Sequence, residues 1–132
     1  MTELPWSDPH IIEAIKKISN VLKELKLNIT SSIAKITDLR GKAINYIKFI
    51  GVKDDKLKVN VSWNPQMKHI ELRIIVRNLR EDVNNFLELL EDHEIYGEEI
   101  NGNVYITKRI SLDNILELRE SILKVMNLIE EL

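Results

Sequence analysis

Apolar positions change period several times along the chain, and each change marks an element. Ile11, Ile12, Ile15, Ile18, Leu22 and Leu25 recur at helical spacing, which predicts an amphipathic helix to about Lys26. Ser7 is placed to cap it, Pro9 falls in its first turn, and Asn28 closes it. From Thr30 or Ser31, the apolar residues Ile33, Ile36, Ile44, Ile47 and Ile50 predict a second helical stretch. Gly41 lies inside it as a breaker and Gly51 stands at its C-cap.

The period then drops to two. Leu57, Val59, Val61 and Trp63 alternate with Lys56, Lys58, Asn60 and Ser62. Ile70, Leu72, Ile74 and Val76 alternate with His69, Glu71, Arg73, Ile75 and Arg77. Such alternation predicts two strands, each with one buried face, joined by a turn at Pro65. Asn78 and Glu81 are spaced like a capping box before Leu79, Val83, Phe86, Leu87 and Leu90. Asn101-Gly102 between "EIYGEEI" and "NVYITKRI" predicts a second hairpin, since a type I′ turn needs positive φ twice. Ser111 caps a last helix that runs to the end. The expected fold is α+β: a four-stranded antiparallel sheet from two hairpins, in the order α-α-β-β-α-β-β-α, with helices on one face. Residues 1–110 form the α+β domain with its hairpin at 56–77, and residues 111–132 form a C-terminal dimerisation helix.

That last helix carries a seam. Ile115, Leu118, Ile122, Val125, Ile129 and Leu132 step by alternating threes and fours, the a/d pattern of a coiled coil. β-Branched residues at every a position, with leucine at two d positions, favour a two-stranded parallel coil. A second stripe, Leu112, Leu116, Leu123 and Met126, lies alongside. One stripe can pack on the sheet while the other meets a second copy, so a homodimer is expected. A single wide apolar face packed within the monomer is the alternative.

Composition narrows the class. With 132 residues, 44% apolar and 30% charged, the chain suits one ordinary globular domain. No apolar run approaches the length of a membrane span, and "MTELPWSDPH" has neither a basic head nor an apolar signal core; the expectation is a cytoplasmic protein without membrane partners. There is no cysteine, which excludes disulfides, thiol catalysis and thiolate zinc sites. Abundant isoleucine, lysine and glutamate with scarce glycine lean towards a thermophile.

Charge is unevenly spread. Residues 38–80 hold ten basic and four acidic side chains, while residues 81–132 hold four basic and thirteen acidic. Two surfaces with different partners follow, or two solvated runs. The search for chemistry finds no enzyme constellation. His10, His69 and His93 lack metal-ligand spacing, no GxSxG elbow exists, and the four glycines form no phosphate loop. No catalytic residue, metal or cofactor is expected.

Binding chemistry is better represented. Lys56, Lys58, Arg73 and Arg77 fall on one hairpin face, with alternate residues about 6.5–7 Å apart along each strand. Lys68 extends the charge to the hairpin tip. Tyr105, Thr107 and Arg109 share a face of the second hairpin, which makes Tyr105 a stacking candidate and Arg109 a further cation. Single-strand binding needs such charge interleaved with rings. Trp63 alternates with the apolar set but stands beside the turn, where its indole can either join the core or project from the rim; the expected site takes it, with Tyr105, as a ring on which bases stack. Trp6, Tyr46 and Phe49 read as core residues.

The basic hairpin "KLKVNVSW…HIELRIIVR", the hairpin around "INGNVYITKR" and the seam "ILELRESILKVMNLIEEL" together resemble the ThermoDBP group of archaeal single-stranded DNA-binding proteins. The resemblance implies a helix-flanked antiparallel sheet, single-stranded DNA as the ligand, and a zipper-like C-terminal helix that dimerises. From Ile70 onward the strand-helix-strand-strand-helix order also looks like the small dimerising subunit of the archaeal complex that makes threonylcarbamoyl-adenosine in tRNA. The expected function is a non-catalytic nucleic-acid-binding homodimer. The alternative is an assembly subunit or adaptor that docks a protein through the sheet face or the last helix.

Overall fold

The computed structural model describes residues 8–37 and 40–132. Helix α1 spans Pro9–Glu24. Its cap is Asp8, whose carboxylate accepts the His10 N–H at 2.9 Å; Ser7 and Trp6 lie outside the described residues. Lys26, at φ +61°, turns the chain out of the helix, and it enters a strand at Asn28.

Here the structure departs from expectation. The predicted second helix is a hairpin: β1 is Asn28–Thr37 and β2 is Ala43–Lys53, in register from Asn28 opposite Val52 to Thr37 opposite Ala43. The segment is dense in isoleucine, threonine and valine, and β-branched side chains lose rotamer freedom in a helix but pack well on a pleated surface. Gly41 supplies the positive φ of +79° that this hairpin's turn uses. Gly51 is not a helix cap either. It lies within β2, and a Cβ there would meet Leu27 side-chain carbons at 3.1 and 3.2 Å, so its bareness lets Leu27 pack on the sheet.

The remaining strands are β3 (Leu57–Trp63), β4 (His69–Val76), β5 (Glu98–Ile100) and β6 (Asn103–Ser111). All six form one sheet in the order β1-β2-β3-β4-β6-β5, and every neighbouring pair is antiparallel. The fold is α+β, with six strands in place of the expected four and the order α-β-β-β-β-α-β-β-α. Asn101 and Gly102 have φ of +52° and +84°, as a type I′ turn between β5 and β6 requires. Helix α2, Val83–Asp92, starts later than the Asn78–Glu81 pattern suggested, because Asn78 adopts φ +56° and its amide donates to the Asp55 carbonyl at 2.7 Å. Helix α3 is Leu116–Glu130, and Ser111 caps the short turn before it through the Asp113 N–H.

All three helices pack on the same face. Ile18 and Leu22 of α1, Phe86 and Leu90 of α2, and Leu118 and Ile122 of α3 are fully buried against Phe49, Val59, Val61, Ile70, Leu72 and Ile74. Helix α3 belongs to this single core, so no boundary falls at residue 111. The seam meant for a partner helix is largely spent here. Leu118, Ile122 and Val125 are buried in the protomer, and Ile115 and Ile129 pack against the same cluster. Leu132 is partly exposed, and of the second stripe only Leu116, at 61%, stands clear. The reason is coverage: the apolar side of a six-stranded sheet must be buried, and α3 is one of the three amphipathic helices that bury it. Among the described residues no helix is long and apolar enough to cross a membrane.

Candidate nucleic-acid interface

The sheet's second face carries no helix among the described residues. Every sheet residue in the core cluster has the helix-side parity, from Phe49 through Val61 to Leu72. Register fixes what stands on the other side. One row across the strands reads Ile50, Asn60, Arg73, Thr107. The next reads Lys48, Ser62, Glu71, Arg109, and a third reads Val52, Lys58, Ile75, Tyr105. Lys56 in the β2–β3 turn and Arg77 just past β4 end the same face; the Arg77 N–H donates to the Lys56 carbonyl at 2.7 Å.

The face is cationic. Lys48, Lys56, Lys58, Arg73, Arg77 and Arg109 oppose Glu71 and, at the β5 edge, Glu98. Arg109 Nη2 lies 3.8 Å from Glu71 Oε1, an exposed pair worth well under about 1 kcal/mol. Among the described residues, Lys48, Lys58 and Arg73 form no ion pair. Their charge is therefore available to a ligand.

The face is also concave. A depression of about 360 Å³ is lined by Tyr46, Lys48, Ile50, Asn60, Glu71 and Arg73 among others. Its cause is side-chain length: β3 presents the short Asn60 and Ser62 between longer residues of β2 and β4. Two buried polar atoms of the face have no hydrogen-bond partner, Asn60 Oδ1 and Arg77 Nε.

Of the residues predicted from sequence, Lys56, Lys58, Arg73, Arg77, Tyr105 and Arg109 come together on this face. Trp63 and Lys68 do not. Trp63 follows its parity into the core, is 4% exposed, and donates its indole N–H to the Met67 carbonyl at 3.0 Å. It offers no ring to a ligand on the open side. Lys68 sits at the β3–β4 turn and, with Asp8 and His10, lines a separate cavity near the start of α1. Tyr46 and Lys48 were missed. Once residues 43–53 form a strand, alternation places Tyr46, Lys48 and Ile50 beside β3's polar face. Their period of two is present in "NYIKFIGVK" but is masked by apolar residues on both parities. No three His, Asp or Glu side chains gather into a metal-ligand group among the described residues. Comparison with protein-family models, curated proteins and solved structures finds no match for this chain.

Proposed function

We propose that the open sheet face binds single-stranded nucleic acid without catalysis, the activity that the resemblance of the two hairpins to ThermoDBP proteins also implies. The observation that carries this reading is a concave face that, among the described residues, has no helix over it and carries unpaired cations at its centre and a tyrosine towards each end. Lys48, Lys58 and Arg73, with Lys56 and Arg77 at the margin, neutralise phosphates. Tyr46 and Tyr105 offer rings on which bases stack, a sequence-tolerant contribution. They stand six residues apart along the strands and three strand spacings across, roughly 25 Å on the diagonal from standard sheet spacings. That track is long enough for several nucleotides.

The test is fluorescence anisotropy with a labelled 20-nucleotide single strand and its duplex at two salt concentrations. Salt-sensitive binding that favours the single strand is expected. No binding at low salt would refute the reading and leave the face as a docking surface for an acidic protein.

A further inference from the structure

The depression around Asn60 has chemistry that differs from the cationic field about it. Beside the cations Lys48 and Arg73, its lining residues hold acceptors. Asn60 Oδ1 is buried with no donor, and the Glu71 carboxylate lines the same hollow. Buried acceptors are almost always satisfied, and an unsatisfied one costs free energy that a ligand donor would recover. A phosphodiester brings no N–H or O–H donor to such a site at neutral pH, so it leaves the Asn60 oxygen unsatisfied. A nucleobase brings what is missing. Every base carries at least one N–H on its Watson–Crick edge, together with an acceptor that the other half of the asparagine amide can meet. Ile50, directly opposite Asn60 in register, adds an aliphatic wall against which a flat ring can lie. The χ2 torsion of asparagine is broad, so the amide can turn its oxygen towards the hollow at small cost.

We infer that the Asn60 depression is a base subsite, which receives the Watson–Crick edge of one unstacked nucleobase while Lys48 and Arg73 at its rim hold the flanking phosphates. This rests on the reading of the open face as a nucleic-acid interface. It adds a cause for strand preference: in a duplex that edge is already paired, so only a single strand can satisfy Asn60. The Arg73 guanidinium, opposite Asn60 in register, is then a phosphate ligand and not a base reader.

The test uses the full chain and its Asn60→Ala and Asn60→Leu variants, with the labelled 20-nucleotide strand and its duplex. Thermal unfolding first establishes that each variant is folded. The intact protein is expected to favour the single strand by about tenfold or more, the discrimination typical of a well-made amide–base contact. Both variants should lose about tenfold of that preference, keeping only the part that the tyrosines supply, with the salt dependence unchanged. In parallel, the Asn60 side-chain amide resonances should shift on titration with adenosine or uridine and stay fixed with ribose 5-phosphate. Shifts with ribose 5-phosphate alone would make the hollow a phosphate site and overturn the inference. So would a variant that weakens both ligands equally. Salt-dependent single-strand binding that ignores Asn60 would sink the subsite and spare the interface, whereas no binding to either ligand would remove both.

Discussion

Replacing Lys58 and Arg73 by alanine tests the interface at its centre. Among the described residues both side chains stand on the open face without an ion pair, so removing them strands no buried carboxylate and leaves the core untouched. With Lys48 and one of the marginal cations they account for about four phosphate contacts. Counterion release then gives a slope of log K against log salt of about −3, or −0.7 per contact for single strands. Raising salt from 50 to 200 mM should weaken binding about 50-fold in the intact protein. In the double variant two contacts remain, the slope halves to about −1.4, and the same change in salt costs only about sevenfold. Anisotropy titrations at five salt concentrations read both slopes. A slope near zero in the intact protein refutes the electrostatic argument. An unchanged slope in the double variant relocates the site away from the sheet face. A loss confined to some sequences would assign these two residues to base readout.

The aromatic ends of the track, the core tryptophan and the last helix give three further predictions. Tyr46→Ala and Tyr105→Ala should each cost about 1–3 kcal/mol of single-strand affinity, with phenylalanine at either position recovering most of it; no loss at either site would leave the face a purely ionic one. Trp63→Phe should bind the strand as tightly as the intact chain, while Trp63→Ala should lower stability by about 3–5 kcal/mol in urea denaturation. A tenfold affinity loss in the phenylalanine variant would return the indole to the binding site. Ile122→Ala should destabilise by about 2–5 kcal/mol, with a melting temperature that does not change with protein concentration. A midpoint that rises with concentration would mean that the α3 seam is buried between two chains.

The parts of the fold that were legible share one property: their patterns had a single period. Strand β3 alternates throughout, and β4 and β6 alternate over most of their length, because one face is buried and the other more open; buried Ile75 on the open-face parity and exposed Lys108 on the helix-side parity are the exceptions. The Asn101-Gly102 turn was readable because few residues tolerate positive φ twice in succession. The β1–β2 hairpin was not, for a physical reason. Ile44 and Ile50 share a parity with Tyr46 and Lys48, so β2 is apolar on both sides and shows no alternation. Steps of three between Ile33 and Ile36, and between Ile44, Ile47 and Ile50, then mimic a helical stripe. Conformational preference, not periodicity, held the answer there: isoleucine and threonine at this density, with glycine at the bend, favour extended chain. The site was lost and found with the fold. Misreading β2 hid Tyr46 and Lys48, whereas Trp63 was misassigned by letting its place near a turn compete with an alternation that put it correctly inside.

A net charge of −2 argues against a nucleic-acid surface only if charge is averaged over the molecule, and the fold does not average it. The acidic residues of the last third are carried mainly on the helical side, among them Glu88, Glu91 and Asp92 on α2 and Glu117, Glu120 and Glu130 on α3. Six cations, Lys48, Lys56, Lys58, Arg73, Arg77 and Arg109, stand on the opposite side of the sheet against Glu71 and Glu98, while the basic residues of α1 and α3 are interspersed with carboxylates. A helix is about 10 Å across with its side chains, so carboxylates on its outer surface stand further than that from a strand lying on the bare face. The Debye length at physiological ionic strength is about 8 Å. Across such a distance the acidic layer is largely screened from the ligand, while Lys48, Lys58 and Arg73 act on it at contact range. The same acidity repels nucleic acid from the helical surface itself. Net charge therefore sets how the whole molecule behaves in solution, and the separation of the two layers by the sheet sets where a polyanion can settle.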